Sequence, residues 1–256
     1  MDRDSLISRY EFVLERLKSA CAAAGRSRAE VTLVAVSKLH SIGAVAALYA
    51  AGQRDFGENY MQEALRKRRE LAPPQGAGAT GERCGDGGIR WHFIGHLQSR
   101  KAAQAAGSFA LIHSLDSRKL ADALERSLAS AGRRQSVLIQ VNLAAEARKS
   151  GIAAEDLPAL ADYVSQACPH LDLRGLMCLP PVFDAGQAAR PHFARLHALR
   201  ESLRVRLLLP LPELSMGMSG DVEAAVAEGA TLVRIGSHIF GPRQLAQSMH
   251  KQSIVE

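Results

Sequence analysis

Short apolar runs alternate with longer segments of helical periodicity along the whole chain. The runs are Val31–Val36, Asp55–Gly57, Trp91–Gly95, Leu111–Leu115, Val137–Leu143, Leu173–Leu179, Leu214–Gly217 and Leu232–Ile235. Between them apolar residues recur at the spacing that lines one face of a helix, as at Leu120, Leu124 and Leu128 or Phe193, Leu196 and Leu199. Strands that alternate with helices predict parallel βαβ units. Eight such units, preceded by a helix over roughly Leu6–Ala23, predict a closed α/β barrel of the (β/α)8 TIM type, with an open doubly wound sheet as the alternative. The second run is short and weakly apolar, so the count of eight leans on the regular spacing.

One segment breaks the rhythm. Residues 72–88 carry two prolines and many glycines with almost no apolar side chains, which reads as a flexible loop. No Lys-Ser/Thr follows and no helix opens behind it, so a linker is the better reading than a phosphate cradle. The 256 residues otherwise suit a single barrel domain spanning 1–256.

Composition adds little to this picture, being 47% hydrophobic and 23% charged, as in ordinary globular proteins. The net charge of +6 could suggest nucleic acid, yet the basic residues interleave with Glu and Asp. The densest run, Arg66-Lys67-Arg68-Arg69, closes a predicted helix, where a solvated face and the helix dipole account for it. No nucleic-acid partner is therefore expected, and an anionic small ligand suits the charge equally well. Cys21, Cys84, Cys168 and Cys178 show neither C-x-x-C pairing nor metal spacing, so they read as reduced thiols of a cytoplasmic protein without a metal. There is no signal-peptide pattern and no apolar stretch of about 18 residues, so no membrane association is expected.

The candidate chemistry begins at Lys38, which concludes the first apolar strand. Strand side chains alternate, so Lys38 shares a face with Thr32, Val34 and Val36. In a barrel this places its amine at the C-terminal mouth, where barrel active sites form. Alone, such a lysine is most simply one that snorkels to solvent. The alternative is a nucleophilic amine that condenses with a carbonyl. The last two units favour the alternative: Leu214-Ser-Met-Gly-Met-Ser-Gly-Asp221 and Val233-Arg-Ile-Gly-Ser-His-Ile-Phe-Gly241 put Gly and Ser at strand ends where helices start. Such backbone and hydroxyl groups suit a phosphate dianion, and barrels often hold phosphate in these two loops. Ser219 also reads as a helix N-cap. An amine facing a phosphate nest is what a phosphorylated aldehyde requires. Arg234, between Val233 and Ile235, is either a structural ion pair or a permanent cation against a cofactor ring nitrogen, which it would keep unprotonated.

Taken in order, Ala35-Val-Ser-Lys38, Phe56-Gly-Glu-Asn-Tyr60 with Gln62-Glu63, Trp91-His-Phe-Ile-Gly-His-Leu-Gln-Ser99, Lys149-Ser-Gly151, Arg174-Gly-Leu-Met177, Leu214-Ser-Met-Gly-Met-Ser219 and Val233-Arg-Ile-Gly236 with Ile239-Phe-Gly241 resemble the pyridoxal phosphate homeostasis protein family. The resemblance spans about residues 6 to 245, and the ordered set is far more specific than any one motif. It implies the barrel of the alanine racemase N-terminal type, with an extra N-terminal helix. It implies pyridoxal 5′-phosphate (PLP) as the cofactor, with Lys38 as the Schiff-base lysine and Asn59 beside the cofactor. Ser215, Ser219, Gly236 and Ser237 then match phosphate-binding positions, and Arg234 matches an arginine facing the pyridine nitrogen. Family members resemble carriers that keep the free aldehyde low while supplying PLP to other enzymes.

The expected function is thus a PLP carrier in cofactor homeostasis, without robust turnover and with no catalytic residue assigned. Its partners would be PLP-dependent apo-enzymes, and a monomer is expected, with a dimer as the alternative. The rival is a PLP-dependent amino-acid racemase, which needs a second base on the opposite ring face. Alanine racemases supply that base as a tyrosine from a separate domain, and too few residues follow the eighth strand here for such a domain. Of Tyr10, Tyr49, Tyr60 and Tyr163, only Tyr60 is expected near the mouth. An aldolase-type barrel using a lysine imine alone is a third reading, which the position of Lys38 and the Arg234 motif disfavour. His92 and His96 flank the end of the third strand as possible acid/base groups, with a structural role the simpler reading. Their spacing to His113 suggests no metal site. Lys101 and Lys149 read as exposed loop lysines, or as second cations near the ligand.

Overall fold

The computed structural model describes residues 2–72, 88–144, 150–181 and 183–241. The interior of the Gly/Pro-rich segment, Cys84 and Lys149 lie outside the described residues. The strands are β1 (Thr32–Val36), β2 (Asp55–Glu58), β3 (Arg90–Phe93), β4 (Leu111–Leu115), β5 (Gln135–Asn142), β6 (Ile152–Ala153), β7 (Leu171–Cys178), β8 (Glu213–Ser215) and β9 (Leu232–Ile235). The helices are α1 (Arg3–Ala23), α2 (Ile42–Ala50), α3 (Met61–Leu71), α4 (Ala102–Ala105), α5 (Arg118–Ala131), α6 (Leu157–Ala167), α7 (Arg190–Leu207), α8 (Val222–Ala227) and α9 (Ser237–Phe240).

Parallel pairing runs β4-β3-β2-β1-β9-β8-β7-β5, and a β4–β5 pairing closes the ring. The eight expected runs are the eight barrel strands. The open-sheet alternative is excluded by that closure. β6 was not foreseen; two residues long, it adds to β5 outside the ring.

Alternation of side chains along each strand divides the core in two. Outward residues such as Leu33, Ala35, Phe56, Trp91 and Phe93 pack with the helices in one continuous cluster. Inward, Val34, Leu111, Leu138, Met177 and Leu232 form a small apolar layer inside the barrel. Local signals fix the helix ends. In α5 the Ser117 hydroxyl accepts the Leu120 N–H, Gly132 closes the helix in the left-handed region, and Leu120, Ala121, Leu124 and Leu128 face the core. α1 packs across α2, α8 and α9, so the extra N-terminal helix braces the part of the ring formed by β8, β9 and β1.

Candidate functional site

Lys38 lies half-buried in the turn that leaves β1, two residues beyond Val36 and so at the C-terminal end of the barrel strand. The turn is held from behind. His40 N–H donates to the Ser37 carbonyl at 3.1 Å, and Leu39 adopts a positive φ of 63°. A non-glycine residue there carries a cost of about 1–2 kcal/mol, so other contacts must hold it. Two come from α3: the Glu63 Oε1 accepts the Leu39 N–H at 2.7 Å, and the Lys67 Nζ donates to the Ser37 carbonyl at 2.6 Å. The main chain on both sides of Lys38 is therefore tied to one helix.

Lys67 itself is a correction to the sequence reading. The basic run it belongs to was expected to be solvated, yet its side chain is fully buried. Its ammonium meets the Glu58 Oε1 at 2.7 Å and the Glu63 Oε1 at 2.7 Å besides the Ser37 carbonyl, which matches its three donors. The Ser37 hydroxyl donates to the same Glu58 oxygen at 2.6 Å. Burial pushes the Glu58 carboxyl up from its ordinary value, against the pull of Lys67. This cluster sits on the outer face of β1 and β2, beneath α3.

A second buried polar system runs through the barrel interior. Arg90, at the start of β3, donates to the Asp55 carboxylate from Nε at 2.7 Å and from Nη2 at 2.5 Å. Asp55 Oδ1 lies 2.9 Å from His92 Nε2, and His92 Nδ1 lies 2.9 Å from His113 Nε2. His113 Nδ1 is 2.8 Å from the Ser215 Oγ, to which Arg234 Nη1 donates at 2.6 Å. Arg234 Nη2 also donates to the Cys178 carbonyl at 2.9 Å. Burial acts to raise the Asp55 carboxyl, but His92 and Arg90 outweigh it and hold it below its usual value. His113 is pushed well below the ordinary imidazole value by burial, with His92 and Arg234 adding to the effect. Burial also raises the Cys178 thiol to about 12, so it is an inert neighbour.

These contacts redistribute the expected roles. Among the described residues Arg234 is held by a hydroxyl and a carbonyl, neither of them a carboxylate. The Ser215 hydroxyl is fully buried and engaged with Arg234 and His113. Ser219 and Ser237 do come together from the loops after β8 and β9, with hydroxyls 3.2 Å apart. Ser219 is not the cap of α8; Asp221 occupies that position, and its side chain accepts the Met218 N–H at 2.6 Å. From α1, Arg16 grips this loop, donating to the Ser219 carbonyl at 2.7 Å while pairing with Glu223 at 2.6 Å. Gly236 precedes α9 and abuts β1, since a Cβ there would lie 3.1 Å from the Val36 carbonyl oxygen. His40 stacks on Phe240 with ring centres 4.7 Å apart, so the loops after β1 and β9 are in contact.

Asn59 follows β2 on the mouth side. Its main chain packs so closely on Gly95 that a Cβ at that glycine would fall 2.2 Å from the Asn59 carbonyl oxygen. The side-chain Oδ1 of Asn59 is buried with no hydrogen-bond partner among the described residues. An orphaned acceptor of this kind is costly unless a ligand donor or water meets it.

The other candidates separate. His92 lies inside the barrel, while His96 is half-exposed and faces Asp116 at 3.5 Å. Tyr60 is exposed just ahead of α3, whereas Tyr10, Tyr49 and Tyr163 lie within α1, α2 and α6. Lys101 ends a short turn of helix after β3. Among the described residues no group of His, Cys, Asp and Glu could hold a metal ion, and no helix is long and apolar enough to cross a membrane. Sequence reasoning missed Asp55, Glu58, Lys67 and the joining of His92 to His113. The one readable signal was the spacing of Glu63 and Lys67, four apart on one helix face.

A closed parallel barrel with a lysine after its first strand and a serine-bearing cradle after its last two defines a structural class. The alanine racemase N-terminal domain model matches residues 14–244. An alanine racemase from Corynebacterium glutamicum superposes with a TM-score of 0.66 at 15% identity, over 98% of this chain and 64% of that one, a likeness of fold alone. The curated relatives are narrower. A pyridoxal phosphate homeostasis protein of Pseudomonas aeruginosa is 47% identical over 90% of this chain and 93% of its own, and one of Escherichia coli is 39% identical over 92% and 95%. PipY of Synechococcus elongatus, solved with PLP bound, superposes with a TM-score of 0.75 at 38% identity, over 90% of this chain and all (100%) of that one. The chain belongs to the pyridoxal phosphate homeostasis protein family.

Proposed function

We propose that this chain binds PLP as a Schiff base on Lys38 and acts as a carrier in PLP homeostasis, supplying apo-enzymes without robust turnover of its own. The observation that carries the reading is the contact between the loops after β1 and β9, through Gly236 on Val36 and His40 on Phe240. That contact puts the lysine turn beside the Ser219–Ser237 pair, at the spacing of neighbouring strands. Asn59 fits the group as well, because its side-chain amide, with a buried Oδ1 unmatched among the described residues, leaves a polar group at the mouth for a ligand or its water to meet. PLP-bound PipY, at 38% identity, supports the choice of cofactor.

When bound, PLP supplies an aldehyde that condenses with amines and a ring that draws electrons from the linked atom. Lys38 would hold it by its amine, and Ser219, Gly236 and Ser237 would take its phosphate. Arg234 would face the ring nitrogen as a cation that gives up no proton, which weakens the ring as an electron sink. Such an arrangement suits holding the cofactor, or racemisation, better than transamination. Held by Lys38, the aldehyde would be kept from stray amines, and another amine taking the place of Lys38 would receive it.

The test pairs a spectrum with an assay. The purified chain loaded with PLP is expected to be yellow and borohydride-trappable, and Lys38→Ala is expected to lose the trapped adduct. Alanine and serine are expected to racemise far more slowly than in an ordinary enzyme, where turnover is about 1–1000 per second. Racemisation in that range would make the rival reading the correct one.

A further inference from the structure

The interior chain has a direction, and that direction follows from its two ends. A guanidinium can only donate, so the Ser215 Oγ must accept from Arg234. An ionised carboxylate can only accept, so His92 Nε2 carries a proton toward Asp55. The Ser215 hydroxyl hydrogen then finds its acceptor in His113 Nδ1, so His113 carries its proton on Nε2 and donates it to His92 Nδ1. Each imidazole then accepts at Nδ1 and donates from Nε2, along a line from Arg234 through Ser215, His113 and His92 to Asp55. Because the mouth end is a guanidinium without a lone pair, the chain cannot pass a proton onward to a ligand. Its task must be one of position.

We infer that Asp55, His92 and His113 are positioning residues, which orient the Ser215 hydroxyl as an acceptor and so hold the Arg234 guanidinium at the pyridine nitrogen of bound PLP. This rests on the proposed reading that Arg234 faces that nitrogen. The chain crosses the barrel, beginning at Asp55 and the partly exposed Arg90 at the first residues of β2 and β3. A residue at the opposite end of the barrel from the ligand thus takes part in its recognition. Buried networks of this kind are stringent, since a lost member strands its neighbour.

The experiment loads the full chain with PLP isotope-labelled at the ring nitrogen and records that nitrogen's NMR resonance at neutral pH, together with the PLP dissociation constant. Wild type is expected to show the unprotonated ring. His113→Phe and Ser215→Ala are expected to move the resonance toward the protonated position and to weaken PLP binding by about tenfold. Ser215→Thr, which keeps the hydroxyl, is expected to stay near wild type. Asp55→Asn, which never touches the ligand, is expected to move the resonance in the same direction by less. If His113→Phe fails to fold, Asp55→Asn and Ser215→Ala carry the test in the same way. Folded variants with the wild-type resonance and affinity would overturn the inference. Its failure is separable from that of the Lys38 reading, because the ring signal reports Arg234 whether or not the adduct is trapped on Lys38.

Discussion

Two buried polar clusters stand behind the mouth, and they are built on opposite principles. The outer one, beneath α3, concentrates charge: one ammonium against two carboxylates, with Ser37 and the Leu39 N–H completing it. The inner one separates charge, with Arg234 and Asp55 at its ends and two imidazoles and a hydroxyl between them. The first grips main chain and fixes where Lys38 emerges. The second grips a side-chain head and fixes how Arg234 is turned. A backbone is placed by short, strong, non-directional contacts to a compact ammonium, whereas a planar guanidinium needs an oriented acceptor.

The largest effect is expected at Lys67. Lys67→Met leaves Glu58 and Glu63 buried without their cation, at a cost of about 3–5 kcal/mol. Denaturant unfolding would measure it, and Lys38 adduct formation is expected to fall in parallel. A loss below about 1 kcal/mol would mean that the outer cluster does not carry the turn.

Acid should act next on the inner cluster, and in stages. The folded His113 takes up a proton far less readily than an unfolded imidazole at 6.5, so its contribution is complete above that pH and is lost as pH falls below it. Asp55 is held below 3.8 in the folded state, so its contribution is present above that pH and is lost as pH falls through the lowered value. Unfolding free energy is therefore expected to decline in two stages on acidification. His113→Phe should remove the first stage and leave the second, and an unchanged profile in that variant would contradict the assignment.

Smaller effects belong to the rim. Arg16→Ala removes the grip on the Ser219 carbonyl and is expected to weaken binding of inorganic phosphate by about tenfold or less, consistent with loss of about 1 kcal/mol. The Lys38 adduct in that variant should still form. Leu39→Gly relieves the left-handed residue but loosens the unfolded chain, so stability should move by less than about 1 kcal/mol. A slower Lys38 adduct in that variant would show that the turn's stiffness matters, and calorimetry with stopped-flow absorbance reads both.

The barrel was largely legible because short runs recur at regular spacing between segments of helical periodicity, and their boundaries fell within a few residues of the observed ones. β6 escaped because two residues carry no periodicity. The place of Lys38 just beyond β1 was readable from the end of the apolar run, and the Ser219–Ser237 meeting from the pattern of the last two loops. The interior chain was not, since Asp55, His92, His113 and Ser215 lie on four different strands and only the ring's closure brings them together. Lys67 misled for the opposite reason. Its arginine neighbours made the run look solvated, and sequence alone does not say that Glu58, on the preceding strand, lies underneath it. The motif of Ser215 pointed to phosphate and gave no sign of the contacts its hydroxyl makes with Arg234 and His113.

The most direct test of the account is to map where PLP attaches. The PLP-loaded chain is reduced with borohydride, digested, and its peptides are weighed by mass spectrometry. The expected result is one modified peptide, carrying the pyridoxyl group on Lys38 and absent from Lys38→Ala. Modification centred on another lysine, or a trapped adduct that persists unchanged in Lys38→Ala, would contradict it.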